Sequence, residues 1–291
     1  MEEALLLYEV SEGIATITIN RPEAMNTLNV PVMQAYVDAL DKADADDEVK
    51  AVIITGKGER AFCAGADLSQ GSATFDFASQ GSIREKMKVG DIYRDWGGWM
   101  TLRMFNSLKP LIGAINGSSA GIGASLQAAM DFRFASNRAK CAFAFVRRGI
   151  VPDAACSWFL PRVVGFQTAM DWCLTGRVVS PEEALEKGFF KSLHDPADVM
   201  PTARAFAREI IDNTPPVSVA LTRQLLWRVA GAAHPMEAHK ADSRGVCLRG
   251  PSADVKEGIG SFLEKRKPNF PGRVSTDMPD IFPNWEEPEF R

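Results

Sequence analysis

The sequence is poor in histidine: three occur in 291 residues, and His194, His234 and His239 all fall in the last third. His234 and His239 lack the i,i+4 spacing that sets two imidazoles on one helix face, so a surface or core role is expected rather than metal ligation. The five cysteines, Cys63, Cys141, Cys156, Cys173 and Cys247, are odd in number and also lack metal-type spacing. Reduced thiols in a cytosol-like, cytoplasmic setting follow as the expectation, serving as small core residues. No apolar run reaches the roughly 18 residues that a membrane span needs. The start MEEALLLYEV has no basic n-region, so no secretion signal is read there. Excess positive charge is missing as well. The 33 Lys and Arg against 37 Asp and Glu leave a net charge of −4, which gives no global attraction to nucleic acid or to an anionic membrane. Any phosphate contact must come from a local basic cluster.

What is present is globular in balance. Hydrophobic residues at 46% and charged residues at 24% support a sizeable core, in two domains or in one α/β core with an appended helical region. The chain is organised around residues 116–153. There the apolar strand LIGAI (Leu111 to Ile115) runs into the small residues Gly117 to Gly121, and a helical segment follows from Gly121 to Met130. The first amides of such a helix have no intrahelical acceptor and lie at its positive end, so they can hold an oxygen that gains negative charge. A glycine loop that is simply packed tightly explains the same residues equally well.

In chain order, Leu5 to Val10 and Ile14 to Ile19 read as an antiparallel hairpin. Asn29 caps a helix with Pro31 in its first turn and an apolar face of Val32, Met33, Tyr36, Val37 and Leu40, which ends in the solvated acidic run Asp44 to Glu48. AVIIT (Ala51 to Thr55) has the continuous apolarity of a strand buried on both faces. Residues 69–98 suggest a mobile wall over a pocket or an irregular insertion, with a helix from about Ser82. DFRFAS and CAFAF read as two short strands, and Ser180-Pro181-Glu182-Glu183 as a capping box. Helices follow over 196–212, 217–229, 237–248 and 252–265, then a proline-rich tail that is expected to be extended and to wrap another surface. The domain reading is therefore a core with the site over 1–195, a helical region over 196–267 and a tail over 268–291. No internal repeat is visible.

Six stretches, in order, resemble the crotonase, or enoyl-CoA hydratase/isomerase, superfamily: ITINRPEAMNTL, AFCAGADL, KPLIGAINGSSAGIGASLQAAMD, GIVPDAA, LTGRVVSPEEALEKGF and FLEKRKPNF. The resemblance covers about Leu5 to Phe270. It implies an α/β fold, a crotonase-like spiral of ββα turns with a C-terminal helical trimerisation region, and often a dimer of trimers. It also implies a CoA thioester substrate in acyl-CoA or fatty acid metabolism, with no metal and no cofactor. By the same resemblance, the backbone amides of Ala66 and Ile122 form an oxyanion hole, although the family usually has glycine where Ile122 stands. Ala24, Met25, Ala64, Asp67, Leu68, Gly123 and Phe145 line the path of the CoA ester, and Phe262 and Lys265 reach it from the C-terminal region.

The departure lies in the acid/base groups. The hydratases carry two glutamates, and those positions hold Ser125 and Phe145 here, neither of which can serve as a carboxylate base. Asp153 falls where some isomerases of the family place a glutamate and where the 4-chlorobenzoyl-CoA dehalogenase places its aspartate. It is the expected acid/base residue; a plain helix N-cap is the competing reading. Four functions stay open: an isomerase using Asp153, a hydratase with an atypical base, a thioester hydrolase or dehalogenase, and a non-catalytic acyl-CoA binder. Acyl-chain identity is not encoded in any motif.

Overall fold

The computed structural model describes residues 4–77 and 87–291. Strands β1 (Leu6–Ser11) and β2 (Ile14–Ile19) pair antiparallel, as the alternation predicts. Asn29 caps helix α1 (Val30–Ala45) by accepting the Val32 N–H at 3.1 Å, and Pro31 sits in the first turn, where its missing N–H removes no helical bond. The predicted apolar face of α1 is buried. The acidic run at its end is not simply solvated. Asp44 pairs with Arg103 of helix α2 (Trp96–Phe105) at 2.7 Å and accepts the Leu108 N–H at 3.0 Å, because α1 and α2 pack together.

Each further pass of the chain gives one strand to a large sheet and the next to a small one. β3 (Ala51–Gly56), β7 (Leu111–Ile115) and β9 (Phe132–Ser136) join the six-stranded sheet in the order β1-β2-β3-β7-β9-β11, closed at its edge by β11 (Ser192–His194). Their successors β4 (Ala61–Cys63), β8 (Ser118–Ala120) and β10 (Cys141–Ala142) form the second sheet, in the order β10-β8-β4. Every pairing in these two sheets except β1 with β2 is parallel. The repetition leaves no period in the sequence because corner residues, not repeated motifs, set it. Asn116, for example, accepts the Gly56 N–H at 3.0 Å and donates to the Gly58 carbonyl at 2.6 Å, joining the corner after β3 to the corner after β7.

Helix α3 (Ile122–Ala128) follows β8, and α4 (Cys156–Val164), α5 (Phe166–Thr175) and α6 (Pro181–Glu186) precede β11. Then come α7 (Val199–Asn213), α8 (Pro216–Arg228), α9 (Pro235–Arg249), α10 (Ala253–Glu264) and the short α11 (Val274–Asp277). The large sheet is covered on both sides. Val52 and Ile54 of β3 join the main core with α1, while Ala51 and Ile53 meet Val199, Ala203 and Ala207 of α7. This is why AVIIT shows no alternation; each such fully buried aliphatic side chain contributes about 1.5–3 kcal/mol relative to exposure.

Several expectations are corrected. Lys88–Val89 and Ile92–Tyr93 form an antiparallel ribbon, β5–β6, where a helix from about Ser82 was expected, and the helix starts at Trp96; residues 78–86 lie outside the described residues. Part of the small-residue run, Ser118 to Ala120, is β8 rather than a turn, and CAFAF pairs only over Cys141–Ala142. The tail wraps its own chain: Ile281 packs with Val217 and Leu221, and Phe282 and Trp285 lie against the Arg228 guanidinium. Cys63, Cys141 and Cys156 are buried thiols, but Cys247 is exposed. His234 accepts the Met236 N–H through Nδ1 and so caps α9.

Candidate active site

The stretch 64–67 is zipped onto residues 25–28. The Ala64 N–H donates to the Met25 carbonyl at 3.0 Å, Leu28 N–H to the Gly65 carbonyl at 2.8 Å, and Asp67 N–H to the Leu28 carbonyl at 2.9 Å. In such a parallel bridge, residue 28 bonds the neighbours of residue 66 and leaves the amide of residue 66 pointing away. The Ala66 N–H has no acceptor among the described residues, and neither does the N–H of Ile122, the first residue of α3. Two glycines bring these amides together. A Cβ on Gly65, at φ +110°, would stand 2.9 Å from the Ala120 carbonyl oxygen, and a Cβ on Gly123 would overlap the Cys63 carbonyl. Ile122 is not among the residues of positive φ, so its side chain leaves the amide in helical geometry. That side chain is accommodated by Gly97, whose Cβ would lie 2.7 Å from Ile122 Cδ1.

Ala66 and Ile122 both line a cavity of about 930 Å³ that is also lined by Asp153 and Asp95. Asp153 is not a cap: α4 begins at Cys156 behind Ala155, with no side-chain cap bond, and only the Asp153 carbonyl accepts the Cys156 N–H, at 2.9 Å. Its Oδ1 is shielded from solvent and has no hydrogen-bond partner among the described residues. Burial first, and then the negative charge of Asp95, push its carboxyl up to about 7 from 3.8. A carboxyl poised there exists in both protonation states near neutral pH, which suits a group that both takes and returns a proton.

The other predicted positions divide. Asp67 lines the cavity, but its carboxylate is held by Arg21 at 2.9 Å and by the Ser69 N–H at 3.0 Å, so it braces the loop that carries Ala66. Ala24, Met25 and Ala64 build the neighbouring corner, where Met25 takes φ 54°, and Leu68 is exposed beside it. Gly123 and Phe145 do not line the cavity: Gly123 packs on Cys63, and Phe145 is buried in the core. Ser125 is wholly buried one turn into α3 and is also outside the lining. Phe262 is exposed on α10, and Lys265, the C-cap of that helix, has φ 54°; neither borders the cavity within one chain. Between Lys265 and Lys267, Arg266 is neutralised by Glu257 and Glu264, each at 2.6 Å. Asp95 and Trp96 were missed. The available signal was an aspartate before WGGWM, an N-cap pattern; Asp95 does cap α2, accepting the Gly98 N–H at 2.5 Å.

Two uncommitted amides and a protonatable carboxyl in one cavity of an α/β fold are groups that can, chemically, hold an oxygen and exchange a proton. Residues 9–273 match the family described as enoyl-CoA hydratase/isomerase. The enoyl-CoA hydratase ACTT3 of Alternaria alternata is 40% identical over 261 residues, covering 89% of this chain and 83% of that protein. The 1,2-epoxyphenylacetyl-CoA isomerase of Escherichia coli K12 is 33% identical, over 92% and 98% of the two chains. A crystal structure of enoyl-CoA hydratase from Bacillus anthracis superposes with a TM-score of 0.80 at 26% identity, over 92% and 99%. The chain belongs to the enoyl-CoA hydratase/isomerase family of the crotonase superfamily, and is an acyl-CoA enzyme of that family.

Proposed function

We propose that the protein is an isomerase-type enzyme acting on enoyl-CoA thioesters, with Asp153 as its acid/base group. The carrying observation is that Asp153 shares the cavity of the two free amides while Ser125 and Phe145 do not line it. In this reading the thioester oxygen accepts the Ala66 and Ile122 N–H groups. Asp153 removes a proton from the carbon α to the thioester, the charge spreads to the oxygen as a dienolate, and the same carboxyl returns the proton at the γ carbon. The double bond moves by one position and the mass is unchanged. Each amide contributes about 3 kcal/mol to the charged intermediate. No cofactor is required by these steps. A hydratase is the second reading, favoured by the name of the 40% identical relative. Incubation with a panel of 2- and 3-enoyl-CoA esters separates the two by mass: double-bond migration without mass change supports the proposal, addition of water supports hydration, and release of free CoA supports hydrolysis.

A homotrimer, or a dimer of trimers, belongs to the same proposal. Leu221 and Leu225 of α8 pack against the chain's own Met278, Ile281 and Phe282. Ile259, Phe262 and Leu263 of α10 remain exposed instead and supply an apolar face. Sedimentation at micromolar concentration is expected to give a trimer or larger, and a stable monomer would contradict it. No helix among the described residues is long and apolar enough to cross a membrane; a cytoplasmic location is part of the proposal.

A further inference from the structure

The turn that carries Asp153 is held from one side by α2. Ala154 and Ala155 both adopt positive φ, 56° and 51°, a conformation that costs a residue with a Cβ and persists only where neighbours impose it. The clamp on Ala154 is complete: its N–H donates to Asp95 Oδ1 at 3.1 Å, and its carbonyl accepts the Thr101 hydroxyl at 2.8 Å. The glycine pair after Trp96 makes the approach feasible. A Cβ on Gly97 would stand 3.0 Å from the Ala154 Cβ, and one on Gly98 would stand 2.7 Å from Asp95 Oδ2. Asp95 Oδ1 thus takes two backbone N–H groups, from Gly98 and Ala154, while its Oδ2 has no donor among the described residues and the side chain borders the cavity.

We infer that Asp95 and Asp153 work as one carboxylate pair, in which Asp95 is the positioning residue that fixes the Asp153 turn and keeps the pair's proton on Asp153. This rests on the reading of Asp153 as the acid/base group. Two carboxylates facing one partly dry space do not readily both ionise. Asp95 Oδ1 accepts two amide N–H groups while Asp153 Oδ1 accepts none, and after burial it is the charge of Asp95 that raises the Asp153 carboxyl. The other titratable groups that face Asp153 are Cys63 at the end of β4 and Cys156 at the start of α4. Burial pushes the Cys63 thiol up to about 12, and the Cys156 thiol is raised well above its usual range by its contact with Cys173 and by burial, so both stay neutral at pH 7. Asp95 is accordingly the charge that acts on Asp153.

The primary readout needs no turnover. Infrared difference titration of the whole protein reads the carboxylic-acid band of Asp153, assigned by its disappearance in Asp153→Asn. Asp95→Asn and Asp95→Ser keep capping side chains but remove the charge. In both, the titration midpoint is expected to fall by roughly one pH unit, and the acid limb of kcat/KM on the best substrate to move down with it. Asp95→Glu, which keeps the charge, is expected to keep the midpoint near that of the parent. A midpoint unmoved in the Asn and Ser variants, with α2 intact by circular dichroism, overturns the inference while leaving the Asp153 reading in place. An acid band that survives Asp153→Asn, together with unchanged activity, overturns that reading itself.

Discussion

Asp153→Asn is expected to lower kcat for double-bond migration by about 10²–10⁴-fold, the usual contribution of a positioned acid/base group. KM should change little, because the amides of Ala66 and Ile122 and the walls of the cavity are untouched. The same substitution is expected to raise stability, and only at higher pH. Asp153 binds its proton more tightly in the folded chain than in the unfolded one, at about 7 against 3.8. Between those values the folded state carries the proton and the unfolded state does not, so stability falls as pH rises through the window and the loss is complete above about 7. Asparagine has no charge to bury. At pH 8 the variant should gain roughly 1–3 kcal/mol, after allowance for the part of the carboxyl that water reaches, and at pH 4 it should gain little. Thermal melts at the two pH values, beside steady-state kinetics, check both halves. A variant that melts lower at pH 8 would place Asp153 in a structural role.

Gly123→Ala is expected to be damaging for a different reason. The Cβ would overlap the Cys63 carbonyl and crowd its sulfur at 2.8 Å, so α3 and β4 must part. Overpacking of this kind costs about 1–3 kcal/mol. The functional cost is larger. The separation of α3 from β4 sets the separation of the Ile122 and Ala66 amides, and a misplacement of about 1 Å can lower the rate by about a hundredfold. Kinetics and chemical denaturation on the same preparation are expected to show both effects, with kcat falling more than stability explains. A variant with the parent's kcat would mean that the two amides do not act together on one oxygen.

The strands and helices were legible where local chemistry is strong. The hairpin, the Asn29 cap, the buried AVIIT strand and the helices after residue 196 follow from periodicity and caps, and the structure places them within a few residues of the expected bounds. The Ser180 cap also forms, with Ser180 Oγ accepting the Glu183 N–H at 3.2 Å, although the Glu183 carboxylate turns to Arg177 and Trp172 rather than completing the box. Of the small sheet only β10 was legible, inside CAFAF; β4 and β8 are three-residue strands that carry no period, and Ser118 to Ala120 looks like a glycine turn until its neighbours are known. Ala66, Asp67, Ile122 and Asp153 could be read from their motifs, and they surround one cavity. Asp95 could not. It lies 58 positions before Asp153, and only the folding of α2 against the Ala154 turn brings the two carboxylates into one space. The coverage of Leu221 by Ile281 was hidden for the same reason, because proline-rich tails show no pattern that points to their docking site.

The central claim is that Asp153 moves a proton at carbon while two amides hold the charge, and solvent-isotope exchange reads that step directly. The protein is incubated in deuterium oxide with short- and medium-chain 3-enoyl-CoA esters, and the esters are followed by mass spectrometry. The account predicts double-bond migration with no species heavier by one water, deuterium entering at the α and γ carbons to the extent that the Asp153 proton exchanges with solvent before it is returned, and loss of both migration and uptake in Asp153→Asn. Deuterium uptake by Asp153→Asn at the parent's rate, or products heavier by one water as the main outcome, would contradict it.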